Sequence, residues 1–252
     1  SVSLETKNTK AGSGKINVAI VLLKRLSNFT DFSTLERDEG FHAYYTNNVE
    51  EIGKADIIIL PGTKNTISDL RNIRENGIAE AVIRAHKEGK KVIGICGGYQ
   101  MMGARIEDPD QIEGDMTAIP GLGILPLVTT MEPEKVTCQD QFTFCDHPET
   151  CKGYEIHMGR TTLLDGASES PLNRLHDGRT DGYFLNDKCW GTYLHGILDN
   201  DVVLNELAEG LTQATPTLFN YIDFKNQQYD KLADHVRTHV DLPYIYSTLK
   251  IK

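Results

Sequence analysis

The 252-residue chain, 39% hydrophobic and 25% charged, is long enough to bury a full core and lacks the composition of a disordered segment. Its formal net charge of -10 excludes a general nucleic-acid or anionic-membrane binder, which needs clustered Lys and Arg. No stretch is apolar enough for long enough to span a bilayer, and the first residues do not read as a basic-then-apolar leader, so a cytoplasmic location is the simplest expectation.

In chain order, residues 1–15 are polar and rich in Lys, Thr, Ser and Gly, the composition of a linker. The chain begins at Ser1 and all five methionines lie at Met101 or beyond, which is read as a piece of a longer protein. Gly12-Ser13-Gly14-Lys15 is like the tail of a phosphate loop, but no strand precedes it and Ile16 stands where Ser or Thr should follow Lys15. Ile16 to Leu23 predicts a first buried strand, Phe41 to Tyr45 a second, and Asp56 to Leu60 a third. Pro61 to Asn65 ends that strand in a loop. Thr66-x-x-Asp69 then offers a capping box for a helix carrying Leu70 and Ile73, and Ile78 to Lys87 continues as helix until Gly89.

Val92 to Ile95 is a short β-branched run, and Gly97 to Gly103 holds the glycines and helix formers of a tight turn into a helix. Cys96 stands at that junction. A side chain on a strand-to-helix turn is pushed out of the sheet beside the first N–H groups of the helix, where the positive helix end favours a thiolate and Gly97 brings its own N–H close to a developing oxyanion. A buried packing cysteine is the alternative. The alternation of strands and helices predicts an α/β fold with a mostly parallel central sheet flanked by helices, its functional groups at the carboxyl ends of the strands, where Gly62 and Cys96 both fall.

Beyond the elbow, Arg105 to Pro120 reads as a polar excursion, and Gly121 to Pro126 with Lys135 to Phe144 as later, antiparallel strands. On a strand spanning 154–159, Tyr154, Ile156 and Met158 share one face, and Glu155 and His157 the other. Asp165 to Asp181 reads as a loop, and Gly182 to Leu185 with Cys189 to Leu194 as a hairpin that ends at His195. The last fifty residues are helical in pattern. The five cysteines show no paired spacing, so neither a disulfide framework nor a metal site is signalled, and the cluster Cys138, Cys145, His147, Cys151 reads as structural.

Gly94-Ile95-Cys96-Gly97-Gly98-Tyr99-Gln100, followed far downstream by Gly191-Thr192-Tyr193-Leu194-His195-Gly196, resembles the class I glutamine amidotransferases, which have a flavodoxin-like fold. Leu60 to Thr66 and Gly153 to Gly159 narrow the resemblance to the cobalamin-pathway branch. Ser27-Asn28-Phe29-Thr30-Asp31-Phe32 is similar to the cobyric acid synthase family rather than to its relative that amidates the a and c carboxylates. The resemblance implies a glutamine amidotransferase domain over residues 16–200, with 1–15 a linker from an absent amino-terminal synthetase domain and 201–252 a helical extension of the same domain. It implies Cys96 as nucleophile and His195 as acid and base, with Gly62 and Gly97 forming the oxyanion hole. Thr63, Gln100, Tyr154, Ile156 and His157 are expected to bind glutamine. The partner would be an ATP-dependent synthetase domain with a corrinoid substrate, using ATP and Mg outside this domain, to amidate carboxylates b, d, e and g of adenosylcobyrinic acid a,c-diamide. No cofactor or metal of its own, no nucleic acid and no membrane are expected for this domain.

In the larger family a Glu two residues after the catalytic His orients the ring; that position here is Ile197. An apolar side chain cannot accept from imidazole. The expectation is a Cys–His dyad whose missing acceptor comes from Glu155 or from the partner domain. Other readings are the glutaminase subunit of a different ligase (the a,c-diamide enzyme or lipid II amidation), a thiol hydrolase of the same fold, and a non-catalytic module.

Overall fold

Continuous β-branched runs dictate the centre of the computed structural model, which describes residues 7–211, 217 and 219–249. Three such runs form β1 (Ile16–Val21), β3 (Ile57–Leu60) and β4 (Lys91–Ile95), in which every position is buried, and the aromatic-rich Phe41–Thr46 forms β2. Strands covered on both faces have no polar side to show, and each Ile or Val so buried contributes about 1.5–3 kcal/mol. Between them lie α1 (Ser33–Arg37), α2 (Val49–Lys54), α3 (Thr66–Glu75) and α4 (Ile78–Lys87), and β4 leads through Cys96 into α5 (Gly97–Met102).

The α3 start differs from the capping box expected. Asn65, not Thr66, has the extended backbone of an N-cap, and its side chain accepts from Ser68 N–H. Asp69 turns back instead, accepting from the Thr63 hydroxyl at 2.5 Å and the Arg25 N–H at 3.1 Å. Gly89, with φ near +80°, follows α4 as expected.

After α5 the chain makes β5 (Arg105–Glu107), β6 (Ala118–Pro120), the long pair β7 (Leu127–Phe144) and β8 (Thr150–Leu163), then β9 (Asn173–Leu175) and β10 (Thr180–Asp181). β11 (Tyr183–Asn186), β12 (Cys189–Thr192), β13 (Leu194–His195) and α6 (Asp201–Ala208) complete this part. The central sheet runs β11-β12-β4-β3-β1-β2. All its pairings are parallel except β11 with β12, the expected hairpin. A second sheet joins β10, β9, β7, β5 and β6, with β8 antiparallel to both β7 and β13. The excursion at 105–120 and the loop at 165–181 thus each supply short strands, whereas 121–126 forms none. These strands are too short to leave a periodic trace.

The chain divides after Phe219 into two compact units. α6, beyond the expected boundary at 200, lies in the first. The second contains α7 (Tyr221–His239), capped by Asn220, and α8 (Leu242–Thr248), capped by Asp241. Part of the linker reading, residues 1–6, falls outside the described residues. Among the described residues no helix is long and apolar enough to cross a membrane.

Candidate active site

Cys96 links β4 to α5 with φ 52° and ψ −111°, a conformation that side chains other than glycine rarely hold and that clusters at functional sites. The turn is tight because α5 lies directly on the sheet. A Cβ on Gly98 would overlap the Leu60 carbonyl, and one on Gly94 would meet Tyr99 Cα at 2.7 Å. Cys96 is 7% exposed, and its Sγ stands 3.7 Å from the Ile156 carbonyl oxygen. Gly97 opens α5, ahead of the first intrahelical bond from Gln100 N–H to the Cys96 oxygen. Its Cα faces the Gly62-Thr63 loop, since a Cβ there would lie 3.3 Å from Thr63 N. A Cβ on Gly62 would lie 3.0 Å from His195 Cε1. Nucleophile, imidazole and both glycine loops therefore converge at the carboxyl ends of β3 and β4.

His195 is fully buried, and its Cε1 and the Cys96 Cβ lie 3.0 and 3.7 Å from where a Cβ on Gly62 would stand. Its Nδ1 is 2.6 Å from Asp31 Oδ2, and Asp31 Oδ1 accepts the Gly196 N–H at 3.1 Å. Asp31 lies in the turn Phe29–Phe32, which starts at Asn28 in the left-handed region (φ 53°); Asn tolerates that conformation. Asn28 Nδ2 is 3.0 and 2.9 Å from the two ring nitrogens. Near-equal distances place the amide over the ring face. Tyr154 stacks on the same ring with centroids 5.3 Å apart. Burial alone would disfavour the imidazolium, but hydrogen bonds and charges from Asp31 and Cys96 outweigh it and push His195 up to about 10.

Glu155 does not supply the acceptor. The β8–β13 register sets Tyr154 opposite His195 and Glu155 opposite Leu194, so Glu155 turns to the other face. There its carboxylate accepts from Arg179 at 2.9 Å, and Arg179 also reaches Asp177 and Asp140. Ile197 is buried and apolar, as the sequence requires. The acceptor comes instead from Asp31, 164 residues upstream. Its only sequence signal was membership of the Ser27–Phe32 motif.

A cavity of about 340 Å³ opens beside Cys96, lined by Asn28, Thr63, Gln100, Glu113, Ile156 and His157 among others. Gln100 is held by Nε2–H donation to the Met158 carbonyl at 2.8 Å and to Tyr193 Oη at 3.1 Å, while its Oε1 accepts from Thr66 at 3.0 Å. His157 stacks on Tyr193 at 3.7 Å, and burial lowers its pKa. Tyr154 is not part of this lining; it backs His195 instead. Glu113 and Asn28, which the sequence did not single out individually, are. Among the described residues no group of three or more His, Cys, Asp or Glu side chains could hold a metal ion. The arrangement offers a nucleophilic thiol, an oriented imidazole, helix-end and loop N–H groups for an oxyanion, and room for one small polar substrate.

Residues 17–203 match the family described as CobB/CobQ-like glutamine amidotransferase domain. The chain belongs to that family. Among its relatives, a cobyric acid synthase of Parabacteroides distasonis is 64% identical over 253 residues, covering 99% of this chain and 51% of that protein. One from Bacteroides fragilis is 58% identical over 250 residues, covering 99% and 50%. The chain thus spans about half the length of the curated relatives it matches. A solved glutamine amidotransferase superposes with TM-score 0.56 at 18% identity, over 76% of this chain and 97% of that one. PurLQS from Thermotoga maritima gives 0.57 at 18%, over 79% and 100%. These two likenesses bear on the fold alone, and the fold is that of class I glutamine amidotransferases. Within this CobB/CobQ-like domain the Cys96 elbow and the His195 strand end are the elements that the sequence resemblance singled out.

Proposed function

We propose that this chain is the glutaminase half of a cobyric acid synthase. The observation that carries the reading is the Cys96–His195–Asp31 arrangement at the carboxyl edge of the sheet, and the 64% identity to a protein named cobyric acid synthase supports its assignment to that enzyme. Cys96 thiolate attacks the side-chain amide carbon of glutamine, and the N–H of Gly97 and one from the Gly62-Thr63 loop take the negative oxygen. His195, protonated on Nε2 and steadied through Nδ1 by Asp31, gives its proton to the leaving ammonia. The neutral ring then takes a proton from the water that cleaves the thioester, releasing glutamate and restoring the thiolate–imidazolium pair. Gln100, Ile156 and His157 line the pocket around the substrate.

The ammonia would serve ATP-dependent amidation of carboxylates b, d, e and g of adenosylcobyrinic acid a,c-diamide in a synthetase domain outside this chain. ATP and Mg would belong to that domain as well. Gly12 to Lys15 makes a poor nucleotide site here, because the stretch precedes β1 and the Gly12 N–H is taken by Asn17 Oδ1 at 2.8 Å. The test is glutamine hydrolysis by this chain, alone and with the synthetase half, beside Cys96→Ala. Cys96-dependent glutamate release that rises with the partner, together with mass increments for four amides on the corrinoid, is expected. Glutamate release without corrinoid amidation would keep the glutaminase and reject the corrin assignment. No glutamine consumption in either preparation would reject both.

A further inference from the structure

We propose that the exposed apolar stripe of α7, extended by α8, is the surface on which this chain meets its synthetase half, the helix seating in an aliphatic groove of that half. The proposal rests on the two-part reading above and adds where the contact is made.

The stripe follows from the sequence. On a helix with 3.6 residues per turn, Tyr229, Leu232 and Val236 fall on one face, while Asp223, Asp230 and Asp234 fall on the other. The three apolar side chains are 58%, 59% and 40% exposed. Beyond them Val240 is exposed as well, and so are Tyr244, Ile245 and Tyr246 of α8. No residue of α8 is buried. Among the described residues, eight of the eleven exposed large hydrophobic side chains lie between Tyr229 and Leu249. Hydrophobic side chains exposed singly need no explanation, but a series along one helix face marks a surface that something covers. Helices in proteins owe most of their stability to packing of such a face.

Three observations select the occupant. The family match ends at residue 203, whereas the cobyric acid synthases match 99% of the chain. The two helices therefore lie beyond the domain that the family shares and within the span that the two-part relatives share. Those relatives are about twice as long as this chain, so in them the other half is covalently joined to the matched span. Its effective concentration is that of a tethered partner, on the order of millimolar, which favours it over a second copy. Finally, α7 sets Lys225, Lys231 and Arg237 against three aspartates. It lacks the cationic excess of a helix that lies on an anionic membrane. Leu232 and Val236, one turn apart, form the i, i+4 anchor pair of a helix read by a groove.

The test is amide hydrogen exchange of the protein that contains both halves, compared with this chain alone, each at high and low concentration. The α7 amides are expected to exchange at least about 10-fold more slowly when the synthetase half is present, independently of concentration. Leu232→Ser with Val236→Ser, made in the two-half protein, should return them to within about twofold of the rate in this chain alone. A stretch of the synthetase half should lose protection in parallel. Asp230→Ser with Lys231→Ser, a charge-neutral pair away from the stripe, should change neither. Equal α7 rates with and without the synthetase half would overturn the proposal. So would protection that depends on concentration, which marks a second copy, or parallel deprotection within residues 7–211 instead of the synthetase half. Equal effects of the two double variants would mean a general loss of helix and would overturn it too. All of these leave the two-part reading in place, because glutamate release and corrinoid amidation by the wild-type protein are measured on the same preparation. Absence of both activities there would overturn that reading, and this proposal with it.

Discussion

Replacing Asp31 by Asn removes a charge from the site while keeping the side chain's shape. Asp31 Oδ2 stands 2.6 Å from His195 Nδ1, Oδ1 holds the Gly196 N–H at 3.1 Å, and both side chains are almost wholly buried. If the Asn oxygen stays on Gly196, its NH₂ faces Nδ1. Nδ1 must then become an acceptor, and the ring proton moves to Nε2. The neutral ring has lost the nitrogen lone pair that should receive a proton, and the imidazolium has lost its counter-charge. Acid–base groups held in the right form contribute roughly 10²- to 10⁴-fold, so glutamate release should fall by about that factor. Stability should fall by about 1–3 kcal/mol for the mismatched buried group.

The pH profile separates this from a merely structural loss. His195 is raised to about 10, above an ordinary value near 6.5. The stability gained from its charged form is therefore complete below about 6.5 and lost as pH rises through about 10. Asp31→Asn deletes one of the two partners that raise it, so the alkaline limb of kcat/KM moves to lower pH. The assay is glutamate release from about pH 6 to 11 with wild type and variant. Wild-type rates, or an alkaline limb that stays in place, would refute the reasoning.

Glu155→Gln should keep kcat/KM for glutamine within about threefold, because its carboxylate serves Arg179 and not His195; a loss on the scale of Asp31→Asn would return Glu155 to the catalytic set. Cys96→Ala and Cys96→Gly should both abolish glutamate release, but they should differ in calorimetric Tm. Gly relieves the positive-φ backbone and should melt higher than Ala by about 2–4 °C for each kcal/mol of strain released, whereas identical Tm values would mean that the elbow is unstrained. Gly98→Ala drives a methyl group into the Leu60 carbonyl and should cost more than about 3 kcal/mol or prevent folding. A Gly98→Ala chain with wild-type Tm would mean that α5 can lift from the sheet.

The central sheet was legible because β1, β3 and β4 are short runs dominated by Ile and Val, whose chemistry favours a buried strand. Cys96 was legible because the elbow writes itself locally, with a strand before it and glycines after it. The face alternation along 154–159 was legible only in part: Ile156 and Met158 line the Cys96 cavity and Glu155 turns to Arg179, but His157 lines that cavity as well and Tyr154 does not. Which face would meet His195 was not, since that depends on the pairing of Tyr154 with His195. A one-residue change of register exchanges the faces, and no residue within 154–159 encodes the register. Short strands such as β9 and β10 leave no period to count.

Asp31 escaped for a related reason. The loops after β1 and after β12–β13 meet only because a parallel sheet sets its carboxyl ends side by side, and a contact across 164 residues leaves no trace in any local window. Its chemistry nonetheless follows from the apolar Ile197. Gly196 at φ 71° turns the chain into a tight turn, Ile197–Asp199, whose Ile197 is buried in the core, so an acceptor for Nδ1 has to reach His195 from across the site. Asp31 does so with one oxygen while the other holds the Gly196 N–H. One carboxylate thereby secures both the imidazole and the backbone that follows it. Ser27 N–H ties the same segment to the Gly62 carbonyl at 2.9 Å, linking it to the Gly62-Thr63 loop. The Ser27–Phe32 segment, which carries the resemblance to one branch of the family, is thus also the segment that replaces the carboxylate Ile197 cannot provide.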